Sequence, residues 1–91
     1  MLFAKKTIDV TVWFKDQYSM WAFDNGRYGC GLLNGLYDGV PTCIGGFKDG
    51  HFEIVAKIHK KKIRNLKDNV TWFNRYAKIF EQDYEAKIVG A

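Results

Sequence analysis

His51 and His59 are the only histidines in this 91-residue chain, and with Glu53 they form its one constellation suited to acid–base chemistry. At alternate positions of a single strand all three share a face, an arrangement that could in principle cleave RNA. The surroundings argue against it. His51 sits beside a turn, His59 lies within a lysine run, and no nucleophile motif, Gly-rich phosphate loop or paired-carboxylate spacing accompanies them. Cys30, Cys43, His51 and His59 could supply four zinc ligands, but their spacings match no finger or ribbon. The chain therefore reads as non-enzymatic, without metal or cofactor.

A charge cluster offers binding instead of catalysis. Lys57, Lys60, Lys61, Lys62, Arg64 and Lys67 fall within eleven residues, and no acidic residue intervenes between Glu53 and Asp68. Residues 1–56 carry a net −1 and residues 57–91 a net +5, so the formal charge of +4 is local. Like charges this dense repel one another at a solvated surface, and a polyanion relieves the repulsion by releasing condensed counterions. Helical spacing adds Arg75 and Lys78 to Lys67 and Thr71 on the face opposite the flank of Trp72, Tyr76 and Ile79, and His59 joins from the strand, which predicts a continuous stripe. Lysines without planar recognition groups suit phosphate backbones better than base edges, giving weak sequence preference and strong salt dependence. RNA leads DNA as the expected partner because no DNA-reading module is present. Trp13, pointing away from Ile8 and Val10, is the candidate for base stacking. The alternatives are a solubilising lysine surface or contact with an acidic protein; a membrane fits poorly, since no basic flanks border both sides of the apolar stripe.

These residues need positioning. Thr7–Phe14 alternates strictly and predicts a strand with Ile8, Val10, Val12 and Phe14 on one face. Residues 18–23, YSMWAF, read as a returning strand, with Asp24-Asn25-Gly26 as a turn signal and the whole as a hairpin. Residues 26–50 hold eight of the nine glycines and the only proline, predicting irregular structure or short strands. After a tight turn at Lys48-Asp49-Gly50, residues 51–59 form a half-buried strand. A helix of about four turns then starts between Asn65 and Asp68, placing Leu66, Val70, Phe73, Ala77 and Phe80 near one meridian. Tyr84, Ala86 and Ile88 predict a terminal strand.

The expectation is one α+β domain over residues 1–91: a small antiparallel sheet of about four or five strands with one C-terminal helix on one face. Trp72, Tyr76 and Ile79 lie beside the helix's core stripe, where one sheet could not bury them all. Either a second copy covers them, making a homodimer, or the Gly-rich segment does. A chain this short buries only about 60–65% of its unfolded surface, which favours such cover. MLFAKK lacks the long apolar core of a secretory signal, and two cysteines cannot staple a secreted scaffold, so a soluble cytoplasmic protein with reduced thiols is expected.

Residues 67–89, KDNVTWFNRYAKIFEQDYEAKIV, with KIHKKKIR at residues 57–64, resemble the helix–strand ending of small accessory proteins of T-even phages. In size and charge the chain is most similar to the RNA-binding, dimer-forming toxin inhibitors of that group, the TifA type. The likeness covers about a quarter of the chain. It implies binding of RNA together with a bacterial toxin endoribonuclease, which would disable the toxin. The rival reading is a protein–protein inhibitor or adaptor that uses the aromatic flank or the Gly-rich segment and binds no nucleic acid.

Overall fold

A computed structural model describes residues 7–31, 44–48 and 50–90. Cys43, Pro41 and most of the Gly-rich stretch lie outside those residues. The fold is α+β, with an antiparallel sheet and one long C-terminal helix. Strands β1 (Thr7–Phe14), β2 (Ile44–Lys48), β3 (His51–His59) and β4 (Ala86–Gly90) follow the order β2-β3-β1-β4, so β1 and β3 form the centre and β2 an edge.

Alternation decides which face is buried. Val10, Val12 and Phe14 of β1 align with Ala56, Ile54 and Phe52 of β3, and Val10, Val12, Phe14, Ile54, Ala56 and Ile58 are all buried. On β4, Ala86 and Ile88 continue that face opposite Phe14 and Val12. A register shift between Thr11 and Val12 leaves Val89 unpaired as a bulge, with Thr11 opposite Gly90.

Residues 17–24 overturn the hairpin: they form helix α1 (Gln17–Asp24), so the long helix is not alone on the sheet. The Asp16 side chain caps its start by accepting from the Ser19 N–H at 2.8 Å. Ser19, Met20, Ala22 and Phe23 are buried, at spacings that mark one side of a helix and not alternate strand positions. Asp24-Asn25-Gly26 ends the helix, with Gly26 left-handed at φ 73°. Gly31 then passes so close that a Cβ there would lie 2.1 Å from the Phe23 carbonyl oxygen.

Helix α2 (Ile63–Ile79) starts earlier than its polar residues predict. A 3₁₀ turn over Lys60–Lys62 leads directly from β3 into it, so Asn65 and Asp68 are helix-interior residues and not caps. Leu66, Val70, Phe73 and Ala77 are buried as expected, whereas Phe80 closes the helix with 58% of its surface exposed. Phe73 meets Phe23 edge-on at 5.2 Å, tying the two helices over the same sheet face. Tyr84 precedes β4, and its ring stacks against Phe73 at 6.0 Å.

Candidate nucleic-acid interface

The stripe begins on the sheet face that neither helix covers. Thr7, Asp9, Thr11 and Trp13 there oppose His59, Lys57, Val55 and Glu53. Lys57 donates to Asp9 Oδ1 at 3.0 Å, an exposed cross-strand pair that neutralises the first cation of the series. Trp13 is half-buried and stacked on His51, with centroids 3.8 Å apart and planes 11° from parallel.

At the end of β3 the chain turns through Lys60, Lys61 and Lys62. Lys60 and Lys61 are exposed, while His59 and Lys62 are half-buried. No side-chain cap closes either this turn or the start of α2, and no acidic residue occupies the helix's first turn. Cations thus accumulate at the positive end of the helix macrodipole, an arrangement that costs stability until an anion is present.

Along α2, Arg64, Lys67, Arg75 and Lys78 are all exposed, at helical spacings that keep them on the outward side. Thr71 sits within this row and donates its hydroxyl to the Lys67 carbonyl at 3.0 Å. For Lys60, Lys61, Arg64, Lys67 and Lys78 no carboxylate partner is found among the described residues.

The aromatic flank is adjacent to this row and not opposite it. The Arg75 guanidinium lies 5.2 Å from the Trp72 ring centroid, so cationic and apolar surfaces meet at one residue pair. Tyr76 is half-buried between Trp72 at 5.7 Å and Tyr28 of the Gly-rich segment at 5.9 Å. Tyr28 also stacks on Phe80, with centroids 5.5 Å apart. The Gly-rich segment therefore covers Tyr76, leaving Trp72 46% and Ile79 67% exposed.

No protein-family model, no curated protein and no solved structure matches the chain. Function is read from the side chains themselves. His51 and His59 are eight residues apart on one strand, roughly 26 Å at about 3.3 Å per residue, too far to serve one phosphodiester. Burial pushes the Cys30 thiol above its ordinary range, which disfavours the thiolate nucleophile, and its Sγ donates to the Tyr28 carbonyl at 3.7 Å. Among the described residues no three of His, Cys, Asp and Glu converge on a metal position, and no helix is long and apolar enough to cross a membrane.

Sequence reasoning found the lysine cluster. It missed the Asp9–Lys57 pair, which needs the β1–β3 register, and the Arg75–Trp72 contact, which three-residue helical spacing could have signalled.

Proposed function

We propose that this chain is a non-enzymatic RNA-binding protein that grips the phosphate backbone along Lys57, Lys60, Lys61, Lys62, Arg64, Lys67, Arg75 and Lys78, with His59 at its margin. The observation that carries the reading is the row of exposed cations Lys60, Lys61, Arg64, Lys67 and Lys78, without carboxylate partners among the described residues, that runs from the uncapped helix start along α2. Phosphates would offset both the mutual repulsion of the lysines and their clash with the helix dipole. Trp13 and His51, on the sheet face where the stripe begins, supply aromatic surface for an unpaired base.

A second copy against Trp72 and Ile79 completes the proposal, since a two-fold contact there would set two stripes side by side. The likeness of residues 67–89 to toxin inhibitors of T-even phages directs the proposal to a cytoplasmic complex of RNA with a toxin endoribonuclease.

The decisive experiment compares the wild-type chain with a Lys60→Glu, Lys61→Glu, Lys62→Glu variant, both purified at low salt. Ultraviolet absorbance reads co-purifying nucleic acid, and a labelled oligouridylate titrated at several salt concentrations reads affinity. The expected result is bound nucleic acid with wild type alone, and a log–log salt slope of about −0.7 for each phosphate neutralised. Absence of binding in both preparations overturns the proposal. Cleavage of the labelled RNA that disappears in His59→Ala would make the protein a ribonuclease instead.

A further inference from the structure

On the sheet face that neither helix covers, one row of side chains crosses three strands and is not used by the lysine stripe. Lys87 of β4, Trp13 of β1 and Glu53 of β3 stand directly opposite one another, so their side chains share this face. Directly opposed residues hold their Cβ atoms about 5 Å apart, within reach of one small planar ligand. Trp13 and Glu53 are half-buried, and Lys87 is exposed.

Asp9, the other carboxylate β1 and β3 place on this face, is engaged by Lys57, whereas the Glu53 carboxylate has no hydrogen-bond or ion-pair partner among the described residues. A carboxylate that is half withdrawn from water and lacks a donor is best satisfied by a ligand that brings N–H groups to it. Trp13 offers stacking area beside that carboxylate. His51 takes one face of the indole, with centroids 3.8 Å apart and planes 11° from parallel, and among the described residues no further ring meets the other face. A base placed there would extend an existing pile of two rings.

We propose that this row is a nucleotide subsite selecting guanine within single-stranded RNA, an inference that rests on the RNA binding proposed above. The base stacks on Trp13, and Glu53 accepts from its N1–H and its 2-amino group. Guanine alone among the four bases presents two adjacent donors on its Watson–Crick edge; adenine and cytosine set one donor beside an acceptor, and uracil sets one donor between two acceptors. A carboxylate only accepts, so it matches the guanine edge with both oxygens and meets an acceptor on every other base. Lys87, on the side of Trp13 away from Glu53, contacts a neighbouring phosphate. A basic peptide is the rival occupant for an unpaired carboxylate, but it would bring its charge in among Lys87 and the stripe. The stripe reads no sequence, and this row adds a preference at one position.

The test titrates the full chain with oligouridylate whose central residue is kept as uridine or replaced by guanosine, adenosine or inosine. A single guanosine should tighten binding about tenfold over uridine or adenosine. Inosine, which keeps the N1–H but lacks the 2-amino group, should lose most of that gain. Glu53→Gln, nearly equal in shape, should abolish the guanosine preference and favour adenosine instead, because an amide both accepts from N6 and donates to N1. Trp13→Ala, with circular dichroism confirming its fold, should weaken the guanosine strand more than the uridine strand. Equal wild-type affinity for all the strands would overturn this inference and leave the lysine stripe standing, whereas no binding of any strand would overturn both. A guanosine preference that survives Glu53→Gln would remove Glu53 from the subsite. Binding of an oligoarginine peptide that Glu53→Gln abolishes, without any guanosine preference, would give the row to a basic protein segment.

Discussion

Asn74 pairs with the backbone of Ala86 as a neighbouring strand would: its Nδ2 donates to the Ala86 carbonyl and its Oδ1 accepts from the Ala86 N–H, both at 2.9 Å. A helix side chain thereby fixes where β4 begins, opposite Phe14. Asn74→Ala leaves two part-buried backbone groups without these partners and should cost about 1–3 kcal/mol in denaturant unfolding. Asn74→Asp should be no better, because a carboxylate cannot donate to the Ala86 carbonyl. An Asp variant as stable as wild type would show that the clamp contributes little.

Tyr28 combines two costs with one large gain. Its backbone is left-handed at φ 63°, and its hydroxyl is buried without a hydrogen-bond partner among the described residues. Its ring contacts Phe73, Tyr76 and Phe80. Tyr28→Phe keeps the ring and removes the unpartnered hydroxyl, so thermal unfolding should show it neutral or more stable by up to about 1 kcal/mol. Tyr28→Ala should lose about 2–3 kcal/mol through lost packing. Marked destabilisation by the Phe change would mean that the hydroxyl is bonded after all.

The elements that sequence placed well are those with one wet and one buried face. β1 and β3 alternate because the sheet is covered by helices on one side only, and α2 repeats its apolar residues because it lies flat on that side. α1 escaped because its eight residues expose Tyr18 and Trp21, so neither period is clean, and Asp16 reveals its capping role only when the Ser19 N–H meets it. The start of α2 was obscured for a related reason. A lysine-rich turn carries no capping residue, while Asn65 and Asp68, polar residues that often cap helices, lie inside α2. Lysine density was legible at once, whereas the neutralisation of Lys57 by Asp9 joins residues 48 apart in sequence and required the strand register.

Cys30 sets an alkaline limit. Burial raises its thiol above the ordinary value of 9.0. Below that pH the thiol is neutral in both folded and unfolded chains. As pH rises through the ordinary value, the unfolded chain surrenders the proton first, and the stability contributed by the protonated thiol is lost through the folded value. Cys30→Ala should therefore show a shallower fall in stability between about pH 8.5 and 10 than wild type. Parallel curves would place the thiol in contact with water. Alkylation offers a second reading: Cys30 should react faster in denaturant than in native buffer, with fragment-ion mass spectrometry separating it from Cys43 on the shared tryptic peptide.

Trp72 and Ile79 give the proposed two-fold contact its test. Trp72→Glu puts a carboxylate on that surface and also sets it beside Arg75, whose guanidinium now lies over the Trp72 ring. The variant should run at the monomer mass in light scattering at concentrations where wild type is a dimer, with its circular dichroism unchanged. Ile79→Glu should do the same without disturbing Arg75. Wild type at monomer mass throughout would remove the dimer from the proposal while leaving the lysine stripe intact.

Asp9 yields the sharpest prediction for RNA, because it reverses the usual direction of a charge mutation. Its carboxylate occupies Lys57 at 3.0 Å on an exposed face, where such pairs contribute at most about 1 kcal/mol to folding. Asp9→Asn should therefore leave stability nearly unchanged while releasing Lys57 to a phosphate and removing a negative charge from the surface. One added phosphate contact contributes about 0.7 of a log unit per tenfold change in salt, so affinity for oligouridylate at 0.1 M salt should rise roughly fivefold, with a steeper salt slope. Adding Lys57→Gln should cancel most of that gain. If Asp9→Asn binds no more tightly than wild type, RNA does not reach the sheet face, and the stripe is confined to the 3₁₀ turn and the outer row of α2.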